Sequence, residues 1–71
     1  MNFTTKLWLT AMLTNEIEET EQNIKNYQLW RKGCNNLEEI SAYDEQIENL
    51  YEYKATLTTL LEQVEGGTLD V

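Results

Sequence analysis

Histidine and proline are absent from this 71-residue sequence, and cysteine occurs once, at Cys34. Without histidine, the acid–base and triad chemistry of many hydrolases has no residue to perform it. One cysteine cannot form a disulfide within the chain, and alone it cannot supply the ligands of a structural zinc site. Glycine-rich phosphate loops and calcium-loop spacings are also missing. We therefore expect a protein that is not an enzyme and that has no metal and no cofactor.

Positive charge is scarce: five lysine and arginine residues stand against thirteen aspartate and glutamate residues, a formal charge of −8. An acidic surface repels the phosphates of nucleic acid and of anionic membranes. We therefore expect neither direct nucleic-acid binding nor membrane association. The charge fits a basic protein partner, and it also fits a solvated face that only keeps the protein soluble.

The N-terminal stretch MNFTTKLWLTAML has one lysine before a short apolar run, an order found in export signals. The run is too short for that role, no small-residue cleavage site follows, and TNEIEETEQ continues the helical pattern. We expect no export signal and no membrane span. The unpaired thiol predicts a reducing cytoplasm. We interpret this thiol as dispensable, although basic neighbours could lower its pKa.

Two segments, at about residues 4–31 and 37–65, have a seven-residue repeat that predicts helices with one apolar stripe. The repeat of the first segment consists of Phe3, Thr10, Ile17, Ile24 and Arg31, with Leu13, Thr20 and Tyr27 between them. The repeat of the second consists of Ile40, Ile47, Lys54 and Leu61, with Tyr43, Leu50, Leu57 and Val64 between them.

Signals that end one helix and start another are concentrated in RKGCNN, residues 31–36. The two basic residues favour a helix C-terminus, and Gly33 is expected to take a left-handed conformation there. Asn35 or Asn36 is expected to cap the next helix, each with a glutamate three residues later, as in a capping box. A turn this short, at about residues 32–36, makes the two helices antiparallel neighbours.

The sequence therefore predicts an all-α fold, an antiparallel two-helix hairpin that resembles a coiled coil, in a single domain of residues 1–71. Folding the chain about the turn sets Tyr27 against Ile40 and Leu13 against Lys54, with an apolar residue in every layer. Residues 66–71 are expected to form a short tail. Two helices cannot enclose a core, and so short a chain buries only about 60% of its unfolded surface. We therefore predict that two hairpins pair into a four-helix bundle dimer.

The open end of the hairpin, residues 3–14 and 53–64, is nearly uncharged. Apolar side chains occur around almost the whole circumference of the first helix here, which predicts burial on all sides. We expect this end to contact a second copy of the chain or another protein. The predicted interface residues are Phe3, Leu7, Trp8, Leu9, Met12, Leu57, Leu60 and Leu61.

Ten acidic residues lie between residues 15 and 52, and in a hairpin they surround both helices. This acidic waist consists of Glu16, Glu18, Glu19, Glu21, Glu38, Glu39, Asp44, Glu45, Glu48 and Glu52. The residues predicted to meet a basic partner are Glu16, Glu18, Glu19, Asp44, Glu45, Glu48 and Glu52. A third group, the turn end, consists of the apolar residues Leu29, Trp30 and Leu37, and Trp30 is interpreted as a cap on the end of the bundle.

In size, acidity and two-helix pattern the chain resembles small proteins of phages and mobile elements, a resemblance of composition without a specific motif. Two functions fit. The first is an inhibitor or regulator that binds and blocks a basic protein, such as one that handles nucleic acid. The alternative is a structural protein whose hairpins assemble into a helical oligomer.

Overall fold

The computed structural model describes residues 2–66 and contains two α-helices, α1 (Phe3–Lys32) and α2 (Leu37–Gly66). The helices pack along their lengths as a hairpin, which measures 51 × 16 × 12 Å. The predicted all-α hairpin is confirmed, and each helix begins and ends at or next to the expected residue. Of the predicted tail, Gly66 is the last residue of α2, and residues 67–71 lie outside the described part of the chain.

Helix α1 begins at a cap that the sequence analysis missed. The Asn2 side-chain oxygen accepts a hydrogen bond of 2.8 Å from the Thr5 backbone N–H. Asparagine is a preferred residue at this position because its side chain satisfies one of the free N–H groups of the first turn. The signal was present in the sequence, immediately before Phe3, the first residue of the helix.

The end of α1 differs from the expectation for Gly33. Its backbone N–H donates to the Trp30 carbonyl at 3.1 Å, and the Cys34 N–H donates to the Arg31 carbonyl at 3.1 Å. These bonds between residues three apart tighten the last turn and satisfy its carbonyls without a left-handed residue. Gly33 has φ −85° and ψ −3°, which is right-handed, so the predicted left-handed conformation is wrong.

Helix α2 begins at Leu37 and is capped by Asn36, the second of the two candidate caps. Its side-chain oxygen accepts from the Glu38 N–H at 2.8 Å, and its carbonyl accepts from the Ile40 N–H at 3.0 Å. The second bond of a capping box, donated by the Asn36 N–H to the Glu39 carboxylate, is not among the hydrogen bonds of the described residues. The Glu39 carboxylate lies instead beside the Cys34 thiol.

The core is small and lies mainly at the open end. The buried apolar residues of the described chain are Leu13, Ile24, Leu57 and Val64. Leu13, Leu57 and Val64 form one cluster, with Leu9, Ile17 and Leu61 packed against it. Buried Thr20 is satisfied within its own helix, because its hydroxyl donates to the Glu16 carbonyl at 2.7 Å.

The register of the two helices differs from the predicted one by about one layer. The ring of Tyr27 packs on that of Tyr43, with centroids 5.8 Å apart, whereas Ile40 was expected opposite it. Leu13 shares its cluster with Leu57. A stripe with an apolar residue every three or four positions still sets apolar against apolar after a shift of one layer, so the sequence pattern fits both registers.

The shift has a favourable consequence for Lys54, which was expected to face the Leu13 layer. Its ammonium lies 3.5 Å from the Glu21 carboxylate, at the edge of the stripe. Phe3, expected to face Val64, is 76% exposed. The Lys6 ammonium donates instead to the Glu65 carbonyl at 3.3 Å across the open end.

We predict that Gly33→Ala leaves stability unchanged or raises it by up to about 1 kcal/mol, because alanine adopts this backbone conformation and restricts the unfolded chain. The added methyl group meets only the Trp30 carbonyl oxygen at 3.6 Å, an ordinary contact. Urea unfolding at fixed protein concentration measures the change. As a contrast, Asn36→Ala removes a cap and is expected to cost about 0.5–2 kcal/mol. A loss above about 1 kcal/mol for Gly33→Ala, the sign of a left-handed glycine, contradicts this account of the turn.

Candidate interaction surfaces

The eight residues predicted to form an apolar interface divide into two groups. Leu57 is buried in the core, and Leu9 and Leu61 pack against it, so the hairpin itself covers these three. The residues that remain exposed are Phe3, Leu7, Trp8, Met12 and Leu60. The second helix therefore covers only part of the apolar circumference of α1.

Four exposed side chains share one side of the hairpin, and we call them the Trp8 strip: Trp8, Met12, Tyr53 and Leu60. On α1, Trp8, Met12 and Glu16 follow each other at four-residue spacing, so each neighbours the next. The Tyr53 hydroxyl donates to the Glu16 carboxylate at 3.3 Å, which sets this flank of α1 beside Tyr53 of α2. Leu60 lies two turns after Tyr53 on the same face of α2.

The opposite flank holds the other exposed apolar residues of the open end. Leu7 precedes Glu21 by two seven-residue repeats, and Glu21 pairs with Lys54. Phe3 neighbours Leu7 at four-residue spacing. Farther along this flank Tyr51 of α2, 49% exposed, lines the same cavity as Glu21 and Lys54. Apolar side chains of both helices therefore share this flank with an ion pair.

The acidic waist occupies the hairpin from its middle to its turn. Of its seven predicted contact residues, Glu16 is half-buried and the other six are exposed. Tyr53 contacts Glu16 and Arg31 contacts Asp44, so α1 residues 16–31 run beside α2 residues 53–44. The predicted acids of both helices are thus brought to the same length of the hairpin.

Few of these carboxylates have a basic partner. The described residues contain two ion pairs, Arg31 with Asp44 and Lys54 with Glu21. Arg31 approaches both Asp44 oxygens, and the longer of these contacts is 3.4 Å. The hydrogen bond and then the charge of Asp44 raise the pKa of Arg31. The other eight carboxylates of the waist lie within 4.0 Å of no lysine or arginine nitrogen.

Glu16 and Tyr53 join the waist to the Trp8 strip. Partial burial is the largest cause that raises the pKa of Tyr53, followed by the charge and the hydrogen bond of Glu16. The phenol therefore stays neutral over a wide pH range and keeps donating its proton. This contact fixes one edge of the strip.

At the turn end, Leu29, Trp30 and Leu37 are all exposed. The Trp30 ring packs edge-on against Tyr27, with centroids 5.3 Å apart. Three of the five basic residues of the chain, Lys25, Arg31 and Lys32, lie on this part of α1. Glu38 and Glu39 directly follow Leu37, and Arg31 pairs with Asp44, so the turn end combines apolar surface with charge of both signs.

Cys34 lies half-buried in the turn, and its thiol donates to the Trp30 carbonyl at 3.3 Å. Burial raises the pKa of this thiol, and the hydrogen bond and charge of Glu39 raise it further, while the charge of Arg31 acts in the opposite direction. Burial and Glu39 therefore outweigh the effect of Arg31, and the pKa of the Cys34 thiol is raised. Little thiolate is present at neutral pH, which makes the thiol a weak nucleophile.

Comparison of the chain with protein-family models, with curated proteins and with solved structures found no match in any of the three. Within residues 2–66, neither helix combines the length and the apolar character that a membrane span requires. The same part of the chain contains no group of three or more acidic, cysteine or histidine side chains that could hold a metal ion. Function is therefore inferred from the three surfaces described above.

We predict that Cys34 reacts slowly with iodoacetamide, because its raised pKa leaves less thiolate at any given pH than an unfolded cysteine has. The pH at which labelling reaches half of its maximal rate should be higher for the folded protein than for the same protein unfolded in urea. Cys34→Ser should keep the helical circular dichroism of the native chain. Faster labelling of the folded protein than of the unfolded protein at pH 7 contradicts this prediction.

Proposed function

We propose that this protein is a cytoplasmic, non-enzymatic inhibitor or regulator. It binds a basic protein through its acidic waist and blocks the function of that partner. The observation that carries the proposal is the set of eight waist carboxylates without a basic partner. Like charges held on two thin helices repel one another and reduce stability. Bound lysine and arginine side chains relieve that repulsion, so the waist favours a partner with the opposite charge.

A partner that handles nucleic acid suits this surface well. Such proteins hold rows of lysine and arginine side chains in grooves that accommodate the regularly spaced phosphates of a nucleic-acid backbone. Carboxylates three and four residues apart on a helix form similar rows of negative charge about 5–6 Å apart at their Cβ atoms. The hairpin is only two helices wide, with a backbone cross-section of 16 × 12 Å, and this narrow shape suits binding along such a groove in place of the nucleic acid.

We also propose that the protein acts as a homodimer, in which two coiled-coil-like hairpins pair at their open ends into a four-helix bundle. A core of four buried apolar residues gives a small domain little stability of its own. Pairing covers exposed apolar residues of the open end with those of a second copy. More of the apolar circumference of α1 is then buried than in the single hairpin.

The alternative function is structural assembly. It is supported by the turn end, where Leu29, Trp30 and Leu37 give the hairpin a second apolar surface at its other extremity. A chain with different apolar surfaces at its two ends can bind further copies in an open assembly instead of a closed oligomer. Inhibitor and assembly protein then differ in whether association stops at two chains.

We predict that binding of the basic partner weakens with salt, since the Debye length falls from about 10 Å at 0.1 M to about 3 Å at 1 M. Titration of the partner, first captured on the immobilised protein from native cells, is compared at both salt levels. Replacing Glu16, Glu19, Glu45 and Glu48 by glutamine should weaken binding at the lower salt by removing contacts that steer and hold the partner.

A matched pair of variants separates the waist from net charge alone. Glu45→Gln with Glu48→Gln removes two charges from the waist, whereas Glu62→Gln with Glu65→Gln removes two near the C-terminus of α2. The first pair should weaken binding more than the second. Equal losses indicate a general charge effect. If the affinity for the partner changes neither with salt nor with the four substitutions, the waist is only a solvated face.

We predict that light scattering at micromolar concentration reports twice the mass of the chain and no further growth on concentration. Trp8→Glu with Met12→Glu should shift the mass to one chain and lower the helical content, because charge enters the contact and the small core loses its support. Leu29→Glu, at the turn end, is the control and should leave the dimer intact. Growth beyond two chains favours the assembly function, and a stable single chain shows that the open end serves a different protein.

A further inference from the structure

We propose that two hairpins pair through the Trp8 strip about a two-fold axis near Met12, antiparallel, with their acidic waists directed away from each other. This inference rests on the dimer of the proposed function and names its contact face and geometry. The occupant of the strip is thus a second copy of this chain.

Both helices contribute exposed apolar side chains to the strip. Trp8 is 62% exposed, Met12 44%, Tyr53 45% and Leu60 37%. At about 200 Å² for each full side chain, these fractions amount to roughly 400 Å². That is about half of the ~800 Å² that each partner buries in a standard interface. Exposed Thr5, Asn15 and Thr56 border the strip and add area without adding charge.

The opposite flank is a poorer contact face. Its apolar side chains at the open end are Phe3 and Leu7, and the ion pair of Glu21 with Lys54 separates them from Tyr51, the exposed aromatic residue of α2 on that side. Burying that pair against a second copy costs desolvation energy that its attraction does not reliably return. Trp8 and Tyr53, in contrast, are among the residue types that contribute most to protein contacts.

Charge decides the relative direction of the two hairpins. The open end carries Lys6, Lys54 and Glu62, a formal charge of +1, whereas residues 15–52 carry −7. Parallel pairing sets one −7 segment directly beside the other. Antiparallel pairing by the open ends sets the nearly neutral segments together and moves the waists apart, so repulsion is smallest in this arrangement.

A two-fold contact is self-complementary, so the centre of the strip meets itself and its ends exchange partners. Met12 lies at that centre, between Trp8 on one side and Glu16, with its Tyr53 contact, on the other. The two Met12 side chains therefore meet at the axis, where a flexible thioether adapts to an identical neighbour. Trp8 then packs against Tyr53 of the second copy.

The resulting dimer presents two waists at its two extremities. Most carboxylates of each waist remain exposed, because the contact reaches the waist only at its edge, near Glu16. The dimer therefore offers a basic partner two separate binding surfaces rather than one continuous acidic face.

Cross-linking tests this geometry, and the single native cysteine makes it direct. In a Cys34→Ser background, Met12→Cys, Leu7→Cys and Leu29→Cys each provide one thiol, at the strip, the opposite flank and the turn end respectively. Mild copper-phenanthroline oxidation followed by non-reducing electrophoresis measures the rate of disulfide-linked dimer, which requires close approach of the two chains. We expect Met12→Cys to link at least about 10-fold faster than either control, since only it lies near the axis.

Each other result overturns the inference. Fastest linking at Leu29→Cys indicates pairing at the turn end, and fastest linking at Leu7→Cys indicates the opposite flank. If light scattering gives two chains in these cases, the proposed dimer stands and only its geometry fails. If it gives one chain and no variant links, the inference and the proposed dimer fail together, while partner binding by the waist is tested separately.

A second measurement keeps the test decisive if Met12→Cys disturbs folding. With Trp30→Phe, Trp8 is the only tryptophan. Its emission should shift to shorter wavelength as protein concentration rises through the dimerisation range, because the indole leaves water. The matched Trp8→Phe variant reports on Trp30 at the turn end and should show no such shift. A shift of Trp30 alone rejects the Trp8 strip.

Discussion

Two helices packed side by side can cover only one face of each other, and the other features of this protein follow from that limit. The buried apolar set within the described chain is confined to Leu13, Ile24, Leu57 and Val64. Such a core compensates little of the conformational entropy lost when two long helices become ordered. Helix α1 has 30 residues, and its first half is apolar on several faces. Its large side chains therefore stay in water until a further surface covers them.

Polar residues at the helix contact are accommodated locally rather than by enlarging the core. Thr20 donates to a carbonyl of its own helix, and Lys54 reaches sideways to Glu21. Both solutions keep polar atoms satisfied at little cost in geometry. Glu16 and Tyr53 do the same at the border of the apolar strip. The hairpin thus has an exposed apolar strip at its open end and a charged middle, and Glu16 and Tyr53 mark the boundary between them.

Charged and apolar residues lie on different lengths of the rod, so partner binding and association between copies are proposed for different regions. Net charge of one sign keeps chains apart, whereas apolar surface brings them together. Here the two tendencies act on different lengths of the same hairpin. Association at the open end therefore does not require the carboxylates to be neutralised, and binding at the waist does not require the apolar contact to be broken.

The sequence by itself determined the helices, their bounds, the short turn and the segregation of acids from apolar residues, because each is encoded by local spacing or by a capping residue. Asn2 also carried its signal locally and was overlooked. Only the tertiary structure decided the register, the right-handed Gly33 and the raised pKa of Cys34. A repeated stripe fits a partner helix equally well after a one-layer shift, so Tyr27 could not be assigned to Tyr43 from spacing. Which of the open-end residues remain exposed, Leu60 and not Leu57, likewise depends on the face that the neighbouring helix covers.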